Sequence, residues 1–178
     1  MSNQEKRPSP NQKADHPKEG RSSPTQTWGA ILIADDNTDD AHHTRLVVEH
    51  ARPLYPVNTV SGGEEAIAYL AGEGRFSDRD AFPYPTLLLL DLVMPGTNGF
   101  GVLQWLQTRP EHRNLVVIVL SVVRDLREVS RAYRFGARSF FMKPLTVEDF
   151  RSTVQALGVP ILKNARLAAE SAGDQLSA

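Results

Sequence analysis

Apolar residues along this chain form short uninterrupted runs and helically spaced sets, and the two kinds alternate. Runs at 30–34, 86–90 and 115–120 have the length and continuity of strands buried on both faces of a sheet, and weaker runs at 57–60 and 138–142 match them in length. Between these runs, apolar residues recur at the spacing of amphipathic helices. Five strands alternating with five helices predict an α/β fold with a five-stranded, mainly parallel, doubly wound sheet.

Capping residues mark the expected starts of several helices. Thr38 precedes the first helix, whose first turn carries Asp39 and Asp40, charges that favour the positive end of the helix dipole. Ser61 with Glu64 forms a capping-box pattern at the second helix. Thr146 with Asp149 is expected to cap the last helix, and Gly158 and Pro160 are expected to end it. Inward faces are predicted for Ala41, Thr44, Val48 and Ala51 of the first helix, for Phe100, Leu103 and Leu106 of the third, for Leu126, Val129 and Tyr133 of the fourth, and for Val147, Phe150, Val154 and Leu157 of the last.

The two ends of the chain differ from its middle. Residues 1–27 hold four prolines and almost no apolar side chain, so they cannot bury enough surface to offset the entropy of ordering, and we predict a disordered tail. The folded domain is expected over 28–158. Residues 159–178 are helix-prone and carry Ile161, Leu162 and Leu167. This extension is predicted to be either a frayed tail or an arm that packs on a second protomer, and we expect a homodimer.

Composition narrows the class of protein. The formal net charge is −1, which gives no reason to expect nucleic-acid binding or adsorption to a membrane. Cysteine is absent, which rules out disulfides and thiolate metal sites and suits a reducing cytoplasm. No stretch has the length of a membrane span, and the N-terminus lacks the apolar core of a signal peptide. We therefore expect a cytoplasmic domain.

Polar side chains follow the predicted strands at the point where each one ends. Asp35 and Asp36 follow the first strand, Asp91 the third, Ser121 the fourth and Lys143 the fifth. Each residue alone is more often a helix cap or a loop residue. The carboxyl ends of parallel strands meet at one edge of the sheet, however, so all five side chains are expected to converge. Oxygen ligands suit a hard cation such as Mg²⁺, and a lysine and a hydroxyl suit phosphoryl oxygens.

With these residues in place, the chain resembles the CheY-like receiver domains of two-component signalling. The resemblance rests on ILIADDN (31–37), LLLLDLVMPGTNGF (87–100), VIVLS (117–121) and GARSFFMKP (136–144), and covers about 29–158. It implies that Asp91 is the phosphoacceptor, with Ser121 and Lys143 contacting the phosphoryl group. It further implies Mg²⁺ (or Mn²⁺) bound by Asp36, Asp91 and the Val93 carbonyl with Asp35 completing the pocket, a switch aromatic at Phe140, and a cis peptide bond before Pro144.

The same resemblance implies a function without enzymatic turnover. The chain is expected to be a stand-alone response regulator that accepts a phosphoryl group from a sensor histidine kinase or a histidine phosphotransferase and signals through protein contacts. Val122 stands where the family usually has a smaller Ala or Gly and would narrow access to the site, and Val93 and Val123 would flank the path of attacking water. We therefore expect slow self-dephosphorylation. The long connection at 72–84 resembles the subgroup that works with phytochrome-type histidine kinases; an ordinary surface insertion is the alternative.

Other classes of protein fit less well. A haloacid-dehalogenase-type phosphohydrolase needs a second Asp where this chain has Val93, and no phosphate-binding glycine loop follows Gly72 and Gly74. A receiver-shaped scaffold that never takes phosphate would lack one of the acids or the lysine, and none is missing. Arginines at 127, 131 and 134 form a basic stripe that is read as a solvated helix face, with contact to an acidic partner as the alternative. His42, His43 and His50 are interpreted as surface residues.

Overall fold

Strands and helices alternate strictly in the computed structural model, which describes residues 29–122 and 125–161. The five strands of this part of the chain are β1 (Ile31–Ala34), β2 (Val57–Val60), β3 (Leu87–Asp91), β4 (Val116–Ser121) and β5 (Ser139–Met142). Its α-helices are α1 (Thr38–His50), α2 (Gly63–Ala71), α3 (Gly99–Gln107), α4 (Leu126–Arg134) and α5 (Val147–Ala156). Short 3-10 turns lie at Gly74–Phe76 and Pro110–His112.

The strands form one parallel sheet in the order β2-β1-β3-β4-β5. This confirms the predicted α/β, doubly wound architecture. The strand order reverses between β1 and β3, and a crevice for a ligand opens beyond the carboxyl ends of strands at such a point. In the register of that pair, Ala34 lies opposite Leu90, so the next residue of each strand is an aspartate.

Two apolar cores lie on opposite faces of the sheet. Successive leucines of β3 alternate between them, because neighbouring side chains on a strand point to opposite faces. Leu88 and Leu90 join the core under α2 and α3, whereas Leu87 and Leu89 join the core under α1 and α5. All four leucines are fully buried. The central strand that carries Asp91 is therefore held from both sides.

Two predicted helix starts were wrong in detail. Asn37, and not Thr38, caps α1: its side chain accepts from the amides of Asp39 and Asp40, and Thr38 is the first helical residue. The capping box at Ser61 does not form either. Gly62 precedes α2 without a side-chain cap, and Ser61 donates to Glu65. The cap at Thr146 is confirmed, since its hydroxyl accepts from the Asp149 amide.

The predicted inward face of α4 was also wrong. Leu126 and Tyr133 are 79% and 48% exposed, Val129 is half-buried, and the buried residue of this helix is Ala132. A small residue at the contact lets the helix lie close to the sheet with its larger apolar side chains turned outward. On the basic stripe, the exposed Arg131 places its guanidinium 4.2 Å from the centre of the Phe100 ring, so it is packed on an aromatic surface as well as solvated.

The long connection at 72–84 is firmly attached to the domain. Phe76 is buried and packs against the rings of Tyr69 and Phe82. The Arg79 guanidinium donates to the carbonyls of Tyr69 (2.8 Å) and Leu70 (2.9 Å), which belong to the last turn of α2. These bonds satisfy carbonyls that a helix end leaves without partners. We call residues 72–84 the anchored connection.

The described fold continues past the predicted boundary at 158 to Ile161. Gly158 adopts a left-handed conformation (φ 65°) after α5, and the Ile161 carbonyl accepts from the Leu54 amide at 2.7 Å. Ile161 is fully buried in the core under α1 and α5, so its apolar surface is covered within this chain and needs no second protomer. The predicted tail at 1–27, Val123, and Leu162 and Leu167 of the extension lie outside the described residues.

None of the helices within 29–122 and 125–161 has the length and apolar character needed to cross a bilayer.

Candidate functional site

Three carboxylates meet beyond the ends of β1 and β3. Asp91 is the last residue of β3, and Asp35 follows β1 directly, with Asp36 next along the chain. Each of the three offers an oxygen that lies within 4.8 Å of the others. Asp35 and Asp91 are buried, whereas Asp36 is exposed. The geometry therefore brings together all three acids that the strand-end pattern selected.

Lys143 reaches this acidic cluster from the far side of β4. Its backbone amide donates to the Ser121 carbonyl at 2.9 Å, which ties the end of β5 to the end of β4. Its Nζ lies 2.7 Å from an Asp35 carboxylate oxygen and 3.2 Å from one of Asp91. The Lys143–Pro144 peptide bond is cis. The ammonium thus sits among the carboxylates rather than in solvent.

The electrostatics of the cluster reflect crowded like charges and burial. Burial raises the pKa of Asp91 to about 6; the Lys143 charge works against that rise, and the neighbouring Asp35 and Asp36 charges add to it. For Lys143, burial alone would lower the pKa, but hydrogen bonds to Asp35 and Asp40 and the charge of Asp91 raise it above the ordinary lysine value. The lysine is therefore firmly protonated, and the acids retain an excess of negative charge.

The remaining predicted residues lie around this cluster. Ser121 ends β4 and is fully buried. Phe140 lies opposite Val119 in the β4–β5 pair and is half-buried against the core under α2 and α3. Val93 and Val122 are 54% and 61% exposed. The roles assigned to the Val93 carbonyl, to Ser121 and to Phe140 stay predictions.

Three residues that support the site were missed by sequence reasoning. Asp40 makes a third ion pair with Lys143, at 3.0 Å, although its position in the first turn of α1 suggested only a helix-dipole role. Glu64 accepts from the Thr97 amide at 2.6 Å and so fixes the loop between β3 and α3. Gly99 lies so close to the Asp91 carbonyl that a Cβ would meet it at 2.3 Å. The first two depend on contacts between distant segments, which a local pattern does not contain.

The donor set fits a hard divalent cation. The cluster offers carboxylate oxygens without histidine or cysteine, and Mg²⁺ binds such oxygens, typically keeping part of its water shell. Lys143 offsets one of the three negative charges, so the pocket still favours an added cation. Asp35, Asp36 and Asp91 are the residues that would hold it.

Solved structures of several response regulators are similar to this chain. The bacteriophytochrome response regulator RtBRR matches with a TM-score of 0.67 and 28% identity, over 75% of this chain and 80% of RtBRR. AtBRR, also a bacteriophytochrome response regulator, matches with a TM-score of 0.66 and 30% identity, over 74% of this chain and 94% of AtBRR. The Mn²⁺-bound form of response regulator Rcp1, a protein of Synechocystis sp., matches with a TM-score of 0.59 and 25% identity, over 72% and 91% of the two chains.

The family assignment follows from the match along the sequence together with the fold. The response regulator receiver domain family matches residues 31–155, which include every strand-end residue of the acidic cluster and Lys143. Bacteriophytochrome response regulators among the structural relatives fit the stand-alone, phytochrome-associated type of this family. Because the match spans well over half of the sequence, the chain belongs to the response regulator receiver domain family of two-component systems.

Proposed function

We propose that this chain is a phosphorylation switch in which Asp91 accepts a phosphoryl group in a Mg²⁺-dependent reaction. The observation that carries the proposal is the Lys143 ammonium, 3.2 Å from Asp91 and 2.7 Å from Asp35 inside a cluster of three carboxylates. A structural lysine would need only one carboxylate. Three acids around one lysine leave an excess of negative charge that bound Mg²⁺ would balance, and Mg²⁺ and Lys143 together would then stabilise the oxygens of a phosphoryl group.

The transfer itself needs little from the protein beyond placement and charge. With a pKa of about 6, Asp91 is mostly ionised at neutral pH. One of its oxygens attacks phosphorus, the P–N bond of the donor phosphohistidine breaks, and the imidazole leaves with the bonding electrons. Lys143 stabilises the charge on the phosphoryl oxygens, and bound Mg²⁺ would do the same from the acidic side. The protein is consumed as an acceptor in this step and is not an enzyme for a separate substrate.

The phosphoryl group would act as a local electrostatic signal. It adds about −1.5 to −2 charges at neutral pH. The Ser121 hydroxyl, at the end of β4, would be drawn toward it, and Phe140 on the neighbouring strand would rotate into the space that opens. This couples the site to the surface formed by α4, β5 and α5, through which the signal would pass to another protein.

The direct test is phosphorylation by a small donor. We expect that incubation with acetyl phosphate and Mg²⁺ adds one phosphoryl group by intact-protein mass spectrometry, and that Asp91→Asn abolishes the gain. Asp78→Asn, on the anchored connection, is the matched control and should be modified like the wild-type chain. Absence of any gain in the wild-type chain, with the fold intact by circular dichroism, would identify a phosphate-free scaffold instead.

The phosphorylated protein is expected to lose its phosphoryl group slowly. Val93 and Val122 follow Asp91 and Ser121 closely in the chain and have largely exposed apolar side chains, where a polar residue could otherwise orient attacking water. We expect a half-life of minutes or longer in the purified protein with Mg²⁺, measured by the decay of the phosphorylated mass peak. A half-life of seconds would contradict the predicted effect of Val93 and Val122 on attacking water.

We further propose a histidine kinase of the bacteriophytochrome kind as donor, directly or through a histidine phosphotransferase. This is supported by the relatives named as bacteriophytochrome response regulators and by the anchored connection. Phosphotransfer from a radiolabelled bacteriophytochrome kinase should be at least tenfold faster than from an unrelated histidine kinase at equal concentration. Equal rates would remove the specific pairing but leave the switch. A cytoplasmic location stays a prediction.

A homodimer also remains part of the proposal. Its support is the apolar character of Leu162 and Leu167, which lie beyond the described residues, together with the largely exposed Leu126 and Tyr133 on α4. Light scattering at tens of micromolar is expected to give twice the chain mass, and a monomer mass would exclude the dimer.

A further inference from the structure

The Lys143 ammonium is held by several acidic side chains in this structure. An ammonium has three N–H donors. Three different carboxylates lie within reach of Nζ: Asp35 at 2.7 Å, Asp40 at 3.0 Å and Asp91 at 3.2 Å. An incoming phosphoryl oxygen therefore meets a lysine that already donates hydrogen bonds to Asp35 and Asp40 and shares its charge with Asp91 as well.

Asp40 differs from the other two partners in position and in exposure. Its side chain is 41% exposed, whereas those of Asp35 and Asp91 are 2% and 6% exposed. It comes from the first turn of α1 and lies outside the group of three acids that could share a cation. Water can replace the lysine at Asp40 at little cost, but it cannot do so at the buried acids.

We propose that Asp40 is a positioning residue that holds Lys143 through this third ion pair and thereby slows phosphorylation of Asp91. The inference rests on the proposed function, because it concerns the rate of that reaction. A carboxylate 3.0 Å from Nζ cancels part of the positive charge that Lys143 offers to the phosphoryl oxygens. Release of this pair makes the lysine a stronger partner for the phosphoryl group.

A helix-dipole role for Asp40 predicts something different, and Asp39 separates the two. Both aspartates lie in the first turn of α1, and the Asn37 side chain accepts from both of their amides. Their negative charges favour the helix start about equally. Of these two aspartates, Asp40 forms an ion pair with Lys143, and no such pair is described for Asp39 within residues 29–122 and 125–161. Asp39→Asn is therefore a control with the same charge change one residue away.

The experiment compares Asp40→Asn with Asp39→Asn. We expect Asp40→Asn to raise the saturating rate constant for phosphorylation by acetyl phosphate with Mg²⁺ about three- to fivefold, the range set by a half-exposed ion pair. The acetyl phosphate concentration at half-saturation should change less. Asp39→Asn should leave the saturating rate constant unchanged. Asp40→Ser, which also removes the carboxylate but keeps a residue suited to a helix start, should act like Asp40→Asn.

A second measurement does not depend on phosphorylation. In ¹H–¹⁵N spectra of the unphosphorylated protein, the Lys143 ammonium signal should shift or broaden in Asp40→Asn and stay in place in Asp39→Asn. An unchanged or lower rate in both folded Asp40 variants, or an equal rise in Asp39→Asn, would overturn the inference. Failure of the wild-type chain to take phosphate would instead refute the proposed function, and the spectra would then still report on the ion pair.

Discussion

A Lys143→Met variant is expected to accept a phosphoryl group from acetyl phosphate about 100- to 1000-fold more slowly than the wild-type chain. Methionine keeps the length and the apolar stem of the side chain and removes the ammonium. The lost group is a preorganised positive charge beside the attacking carboxylate, and loss of one such donor typically has an effect of this size. The rate is measured from the phosphorylated mass fraction against time at saturating Mg²⁺.

The same variant is expected to be less stable when Mg²⁺ is absent. Asp35 and Asp91 lose the Lys143 ammonium that lies between them. Leaving a buried charge without its partner typically lowers the free energy of unfolding by about 3 kcal/mol. Added Mg²⁺ should restore much of this loss, because it binds the native cluster and not the unfolded chain.

The free energy of unfolding should depend on pH in a definite direction in both proteins. The pKa of Asp91 is about 6 in the folded wild-type protein and 3.8 for an unperturbed Asp side chain, so the native state binds more protons between these values. Stability should therefore fall as the pH rises through this window and level off above it. Without the lysine, the pKa of Asp91 rises further, and the fall extends to higher pH. Urea unfolding at pH 5 and pH 7.5 in EDTA measures both effects.

Arg45→Met is the control for this prediction. Arg45 pairs with Glu49 at 2.8 Å on the exposed side of α1, with both side chains more than two fifths exposed. Loss of such a pair should change the free energy of unfolding by less than about 0.5 kcal/mol and should leave phosphorylation unaltered. A Lys143→Met protein as stable as wild type at pH 7.5 in EDTA would contradict the charge balance described for the cluster.

Gly99→Ala is expected to lower the free energy of unfolding by about 3 kcal/mol. An added Cβ would lie 2.3 Å from the Asp91 carbonyl oxygen and 2.8 Å from the Leu92 Cα, and both are backbone atoms at the end of the central strand. Neither atom can move without shifting β3 relative to α3. Because the strain falls on Asp91 itself, we also expect phosphorylation to slow about 10- to 100-fold.

Gly101→Ala provides the comparison, since Gly101 lies two residues further along the same helix. Its Cβ would approach the Thr97 methyl group at 2.9 Å and the Asn98 Oδ1 at 3.9 Å, and both are side-chain atoms, which can shift more easily than backbone atoms. Alanine also favours a helix over glycine by about 1 kcal/mol. We expect Gly101→Ala to stay within about 1 kcal/mol of wild type in urea unfolding, with a normal phosphorylation rate. Equal stability of the two variants would contradict the steric strain expected from a Cβ at position 99.

The fold could be predicted from the sequence because its central strands are continuous apolar runs. A run such as Leu87–Leu90 allows little besides a strand buried on both faces, and the regular alternation with helical segments leaves a parallel sheet. Once the sheet is parallel, the positions of Asp35, Asp91 and Lys143 follow from strand order alone. The convergence of the cluster was therefore predictable from residues more than a hundred positions apart.

What could not be predicted depends on side-chain geometry across elements. Ser61 and Glu64 have capping-box spacing, but Glu64 finds a better donor in the Thr97 amide, which belongs to a loop brought close by folding. The face of α4 was misassigned because apolar spacing does not reveal how near a helix must approach, and Ala132 makes the contact. Asp40 looked like a helix-start charge, and only the reach of Lys143 across β4 shows its second role.

The anchored connection has a consequence for how related chains can vary in length at this point. Its arginine completes the carboxyl end of α2, and its phenylalanines cover Tyr69, which also donates from its hydroxyl to the Pro83 carbonyl. Shortening residues 72–84 to a tight turn would expose the Tyr69 ring and would leave the carbonyls of Tyr69 and Leu70 without their hydrogen-bond donor. A shorter relative should therefore carry a smaller or more polar residue at the position of Tyr69, so that loop length and helix composition change together.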